Sequence, residues 1–175
     1  MSTRFLTGQR LTADLLNTNV ADFMPSTFVK AADQSRNTSI TLADDAELAG
    51  IPLSVGTWEI ELVLFYTVAS TTPLLKTAWA FSGTWGTSAL RAVVGPNGIV
   101  APSVATPANM QAAPLTTAAV YNSSTAGSYS SVREIARNVV VTVAGNLSLQ
   151  WAQSVSNASN VTVRAATSFG TRKIS

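Results

Sequence analysis

Hydrophobic and polar positions alternate most strictly in GTWEIELVLFYTVA, in the second quarter of the chain. Trp58, Ile60, Leu62, Leu64 and Tyr66 fall on one face; Glu59, Glu61, Val63, Phe65 and Thr67 fall on the other. A period of two is the signature of a β-strand, whose successive side chains point to opposite sides. The second face begins charged and turns apolar, which a strand with one side in water does not need. Part of that face is therefore expected to be covered, by a second sheet or by another subunit.

Shorter β-rich runs repeat on both sides of this strand. Thr27 to Ala31 and Ser39 to Leu42 are separated by the turn-forming cluster DQSRN, and the acidic turn ADDAEL follows them. Lys76 to Ser82 and Leu90 to Val94 come next, with GTWGT and GPNG as turns and Pro102 to Pro114 as a long Ala/Pro/Thr loop. The series ends with Leu115 to Tyr121, Ser131 to Ile135, Val139 to Val143, Leu147 to Gln153, Val161 to Ala165 and a last strand near Phe169 to Ile174. Short strands at this spacing predict a mainly β protein, an antiparallel sandwich or jelly roll of about eight to ten strands. Leu147, Leu149 and Trp151 form the expected inward face of a late strand, and SVSNASN its connecting loop. The basic tip Arg172-Lys173 reads as protection of a sheet edge.

Only one stretch carries a helical pattern. In TGQRLTADLLNTNVADF, Thr12 can cap, Asp14 suits the positive first turn, and Leu15, Leu16, Val20 and Phe23 share a broad apolar stripe. Pro25 then forces an extended path. The expected organisation is an arm with a short helix over residues 1–25, followed by a β domain over residues 26–175.

Composition narrows the chemistry. Hydrophobic residues make up 46% of the 175 and charged residues 11%, the opposite of a disordered composition. No apolar run reaches the roughly eighteen residues of a membrane span, so no membrane insertion is expected. The formal net charge is +2 with no basic stripe, which gives nucleic-acid binding little to work with. Cysteine and histidine are both absent, removing thiolate and imidazole catalysis, disulfides and the common zinc sites. The first residues lack a secretory pattern, so assembly in a cytoplasm is the expectation, and Asn37, Asn122, Asn146, Asn157 and Asn160 read as sequons without glycosylation.

Each remaining candidate for chemistry has a plainer alternative. Glu59 and Glu61 stand roughly 7 Å apart on one strand face, a spacing compatible with a glycosidase pair, but alternate acidic residues near the start of a strand are usually a solvated face or partners for arginine, here Arg133 or Arg164. Asp44, Asp45 and Glu47 offer oxygens to a hard cation but lack EF-hand spacing, and an acidic turn explains them. VVGPNG and SGTWG lack the Lys-Ser/Thr pair of a phosphate loop. Without histidine no Ser-His-Asp triad forms, so the chain is expected to be no enzyme and to need no cofactor. Trp58, Trp79, Trp85, Tyr66, Tyr121 and Tyr129 could stack on sugars or fill a core; Trp85, in a turn, suits a core least and is the candidate glycan contact.

The opening TRFLTGQRLTADLLNTNVADF resembles the N-terminal segment of tail-associated and other virion proteins of bacteriophages, especially those of actinobacteria. GTWEIELVLFYT, with NLSLQWAQSVSNASNVTVRAATSF, resembles the C-terminal jelly rolls of phage structural proteins and of complement-type and tumour-necrosis-factor-like trimers. The resemblance implies a homotrimer that buries apolar strand faces on a three-fold axis, placed in the virion as a tail fibre, minor tail protein, or capsid decoration or head fibre. Val63, Phe65, Val140, Gln150 and Gln153 are the expected subunit contacts. Phe5, Leu11, Leu15, Leu16, Val20 and Phe23 are the expected contacts with other virion proteins, major capsid or tail. A carbohydrate-binding module recognising host surface glycans is the alternative reading, and a glycan hydrolase a more remote one.

Overall fold

The computed structural model describes Thr12 and residues 24–86, 89–95, 109–122 and 126–175. The expected N-terminal helix lies outside these. Among the described residues there are strands and turns: β1 (Ser26–Val29), β2 (Gln34–Arg36), β3 (Ala43–Asp44), β4 (Ile51–Leu53), β5 (Gly56–Val68), β6 (Leu75–Phe81), β7 (Thr84–Trp85), β8 (Leu90–Gly95), β9 (Asn109–Pro114), β10 (Ala119–Tyr121), β11 (Ser130–Val143), β12 (Gly145–Gln153), β13 (Val161–Val163) and β14 (Ser168–Lys173). No helix among them is long and apolar enough to cross a membrane.

Two antiparallel sheets result. The larger runs β1-β14-β5-β11-β8-β9, with β13 continuing the β14 row along β5, β2 outside β13, and β7 beside β11. The smaller runs β10-β6-β12-β3, with β4 also on β12. From β4 on the chain crosses back and forth between the sheets: β4 smaller, β5 larger, β6 smaller, β7, β8 and β9 larger, β10 smaller, β11 larger, β12 smaller, β13 and β14 larger. Such wrapping is that of a jelly roll, here with β7, β8 and β9 added to the larger sheet as an excursion.

The alternation in β5 decides which face is inside. Ile60, Leu62, Leu64, Tyr66 and Val68 are buried at 1% exposure or less, opposite Leu75 and Trp79 of β6 and Leu147, Leu149 and Trp151 of β12. Trp79 meets Phe169 of β14 edge-on across the core, ring centroids 5.3 Å apart. Each such aliphatic side chain removed from water contributes about 1.5–3 kcal/mol. Val161 and Val163 face the same core from β13. Where the β6–β7 turn crosses the β11–β12 turn, a Cβ on Gly145 would lie 2.2 Å from the Gly83 nitrogen, so the crossing admits only glycine.

Several boundaries differ from the sequence expectation. Residues 34–36, taken for a turn, form β2 because their backbone completes the edge of β13, whereas Ser39 to Leu42 is not a strand. The Ala/Pro/Thr loop gives way at Asn109 to β9, which pairs with β8 through Pro114. Ser131 to Ile135 and Val139 to Val143 are one strand, β11, interrupted by a bulge between Ala136 and Val139. Asn138 adopts a left-handed φ of 55° there, a conformation that asparagine tolerates better than most residues. The bulge moves the inward positions from Val132, Glu134 and Ala136 to Val139 and Val141, so both halves of the strand keep a buried face.

Candidate functional site: the outer face of the larger sheet

The outward positions of β5 are Thr57, Glu59, Glu61, Val63, Phe65 and Thr67, all half-buried. Beside them β11 contributes Ser131, Arg133, Ile135 and Arg137, then Val140 and Thr142 beyond the bulge. Register places Val63 between Arg133 and Ser168, and Phe65 opposite Ser131. Ile135 lies between Glu61 and Ala92 of β8, so Val63, Ile135 and Val94 are diagonal neighbours across three strands. The face is thus charged at its β5 start and apolar beyond, and both halves remain partly accessible.

At the charged end, Glu59 accepts from Arg137 at 2.6 Å and from Arg172, while Arg133 Nε sits 2.5 Å from a Glu61 oxygen. Arg133 is the partner that the sequence suggested; Arg164 instead pairs with Asp33 at 3.0 Å. A groove of about 290 Å³ lies among these ions, lined by Pro25, Glu59, Glu61, Ile135, Arg137 and Arg172. The Arg172 hydrogen bond, opposed by burial and reinforced by the charges of Arg172 and Arg137, holds the Glu59 carboxyl below its usual value. A glycosidase acid needs the reverse shift, so Glu59 is suited to orienting two arginines rather than to donating a proton. Replacing both Glu59 and Glu61 by Gln is expected to leave any turnover of bacterial cell-wall material unchanged, as release of reducing sugar would record.

The acidic turn is equally committed. Asp44 accepts from the Gln150 amide at 2.8 Å. Asp45 is buried against Lys30 at 2.9 Å, and Glu47 accepts from the backbone amides of Ala31 and Ala32. Among the described residues no three Asp or Glu side chains converge as a metal site would require.

The remaining sequence candidates fall in different environments. Val140 is 45% exposed on the outer face of β11, where its carbonyl accepts from Gly86. Gln153 points into the core, fully buried, and binds the 154–160 loop through the Ser159 carbonyl and the Asn157 amide. Trp85 is half-buried and stacks on Phe81 with centroids 4.1 Å apart. Trp58, Trp79, Tyr66 and Tyr121 are core residues. Tyr129, by contrast, is 71% exposed. Phe5, Leu11, Leu15, Leu16, Val20 and Phe23 lie outside the described residues.

No protein-family model and no curated protein matches the sequence. Among solved structures, a chain in the structure of infectious bursal disease virus Gt strain is 10% identical with a TM-score of 0.26, covering 86% of this chain and 40% of that one. A chain of the Gx strain is 12% identical with a TM-score of 0.18, covering 85% and 41%. This chain therefore spans about two fifths of the length of those neighbours. Similarity at this level establishes no relationship in function.

Proposed function

We propose that the chain is a non-enzymatic structural component of a bacteriophage virion, a trimeric appendage whose subunits meet through the outer face of the larger sheet. The observation that carries this reading is the apolar half of that face, where Val63, Phe65 and Ile135 sit in the middle rows of a jelly roll and remain half-exposed. Interior rows of a sheet normally hide such side chains under a second layer, and contiguous exposed apolar surface marks an interaction site. The resemblance of the opening segment to phage virion proteins supports the same reading. In it residues 1–25 form the arm that binds another virion protein, and the β domain projects from the particle, as tail fibre, minor tail protein or capsid decoration. Val140 extends the contact along β11; Gln153, spent on its own loop, does not contribute.

Mass measurement in solution tests the trimer. The expected species at micromolar concentration is three times the 18.3 kDa chain, and a stable monomer refutes the reading. Phe65→Asp is expected to give a folded monomer, because a carboxylate buried without a partner at the contact is costly while the same group on the lone subunit stays in water. An unchanged β-type circular dichroism spectrum with a third of the mass is the expected result. Deletion of residues 1–25 is expected to leave the β domain folded and absent from particles.

A further inference from the structure

We infer that Tyr129, held by Arg164, which Asp33 holds in turn, is a contact site for a neutral sugar ring. Of the six aromatic residues that the sequence offered for stacking, four are core and Trp85 is packed on Phe81, while Tyr129 leaves most of its ring in solvent. Its exposure is not looseness. The Arg164 guanidinium lies 5.0 Å from the ring centroid and donates from Nη2 to the phenolic oxygen at 2.9 Å. Asp33 holds Arg164 at 3.0 Å and also accepts from the Ala165 amide at 2.8 Å. The Arg164 amide is itself fixed on the Phe65 carbonyl at 2.8 Å. An aromatic held in one orientation loses little freedom when a ligand arrives.

The chemistry of the cluster selects the ligand. A pyranose presents a C–H face suited to an aromatic ring and a rim of hydroxyls that both donate and accept. Arg164 at the ring and Asp33 3.0 Å from Arg164, each partly exposed, add a donor and an acceptor to the cluster. Such a pairing of one apolar platform with a few fixed polar groups is how small polar ligands are oriented.

Position in the fold agrees with this use and rests on the appendage reading. Ser26 and Thr171 are level with Ile60, and the Ser175 carbonyl is bonded by the Thr57 amide, so the arm and the last strand leave from the same end of β5. Ser130, next to Tyr129, is level with Tyr66, six residues and roughly 20 Å further along the strand. Attachment at one end leaves Tyr129 towards the other.

The full chain, tested against glucose, galactose, mannose, N-acetylglucosamine and cellobiose by saturation-transfer NMR and calorimetry, is expected to bind at least one of them. Tyr129→Ala is expected to weaken that binding about tenfold, the worth of a ring contact, and Tyr129→Phe to keep most of it. Failure of every probe at millimolar concentration, or undiminished binding by Tyr129→Ala, overturns the site. Loss of association in Tyr129→Ala without any sugar binding overturns it too, and makes the tyrosine a subunit contact. A monomer that still binds sugar refutes only the trimer; a trimer that binds none refutes only this site.

Discussion

Arg91→Met is expected to destabilise the fold by about 3–5 kcal/mol, the cost of leaving one member of a buried ion pair without the other. Arg91 on β8 and Glu134 on β11 are both fully buried, with Arg91 Nη1 3.3 Å from a Glu134 oxygen. The same guanidinium donates to the carbonyls of Leu115 at 2.9 Å and Thr117 at 2.8 Å, the turn that leads into β10. Glu134 in turn accepts from Thr77 of β6 at 2.7 Å and Tyr121 of β10 at 2.5 Å. Removing the cation strands the carboxylate and takes a donor from the Leu115 and Thr117 carbonyls, and the network spans both sheets. Burial first, and the Glu134 carboxylate next to it, push the Tyr121 phenol far above its usual range, so it stays a donor at any accessible pH. The measurement is the urea midpoint at constant slope. Arg91→Met with Glu134→Leu is expected to recover much of the loss, since an apolar pair of similar volume avoids desolvating either charge. A single variant as stable as the parent would remove the network from the account of the fold.

That network also marks where the sequence stops being legible. β5 could be read in full, because each inward residue is large and apolar and each outward one at the charged end is polar. The same rule fails on SVREIARN. Alternation there offers Ile135 to the core, yet the structure buries Val132, Glu134 and Ala136 and leaves Ile135 on the outer face. β8 behaves alike, with Arg91 inside and Ala92 and Val94 outside. Both inversions make sense only as a pair, since each buried charge needs the other, and no local pattern carries a pairing across 43 positions. Val63 and Phe65 were legible for the opposite reason: an apolar residue on the second face of an otherwise regular strand is a local anomaly. Turn position points to Trp85 as the exposed aromatic, whereas β7 tucks Trp85 against Phe81 and the short approach to β11 leaves Tyr129 outside. The short strands β2 and β3 escaped because their pairing comes from β13 and β12, distant in sequence, rather than from their own propensity.

Lys30→Met carries the second large effect, with a pH dependence that identifies its cause. Lys30 follows β1 and is 1% exposed, its ammonium 2.9 Å from Asp45 and 3.4 Å from Glu47. Asp45 is buried as well, and besides Lys30 it accepts from the Glu47 and Leu48 amides and from the Trp151 indole at 3.0 Å. These bonds tie the first strand of the larger sheet to the β3–β4 turn and to β12 of the smaller. Burial alone would push the Asp45 carboxyl up; the Glu47 amide, Lys30 and the Leu48 amide more than offset it and hold the group below its usual value. A depressed carboxyl stabilises the fold above its unfolded value, about 3.9, and that contribution is lost as pH falls through the folded one. At pH 7 the variant buries a carboxylate without its cation and is expected to be less stable by about 3–5 kcal/mol. As pH drops below about 4 the parent loses the Asp45 contribution while the variant, whose carboxyl is no longer held down by Lys30, loses less. The gap between their urea midpoints is therefore expected to narrow from pH 7 towards pH 2. A gap constant with pH would assign the loss to the packing of the lysine stem instead.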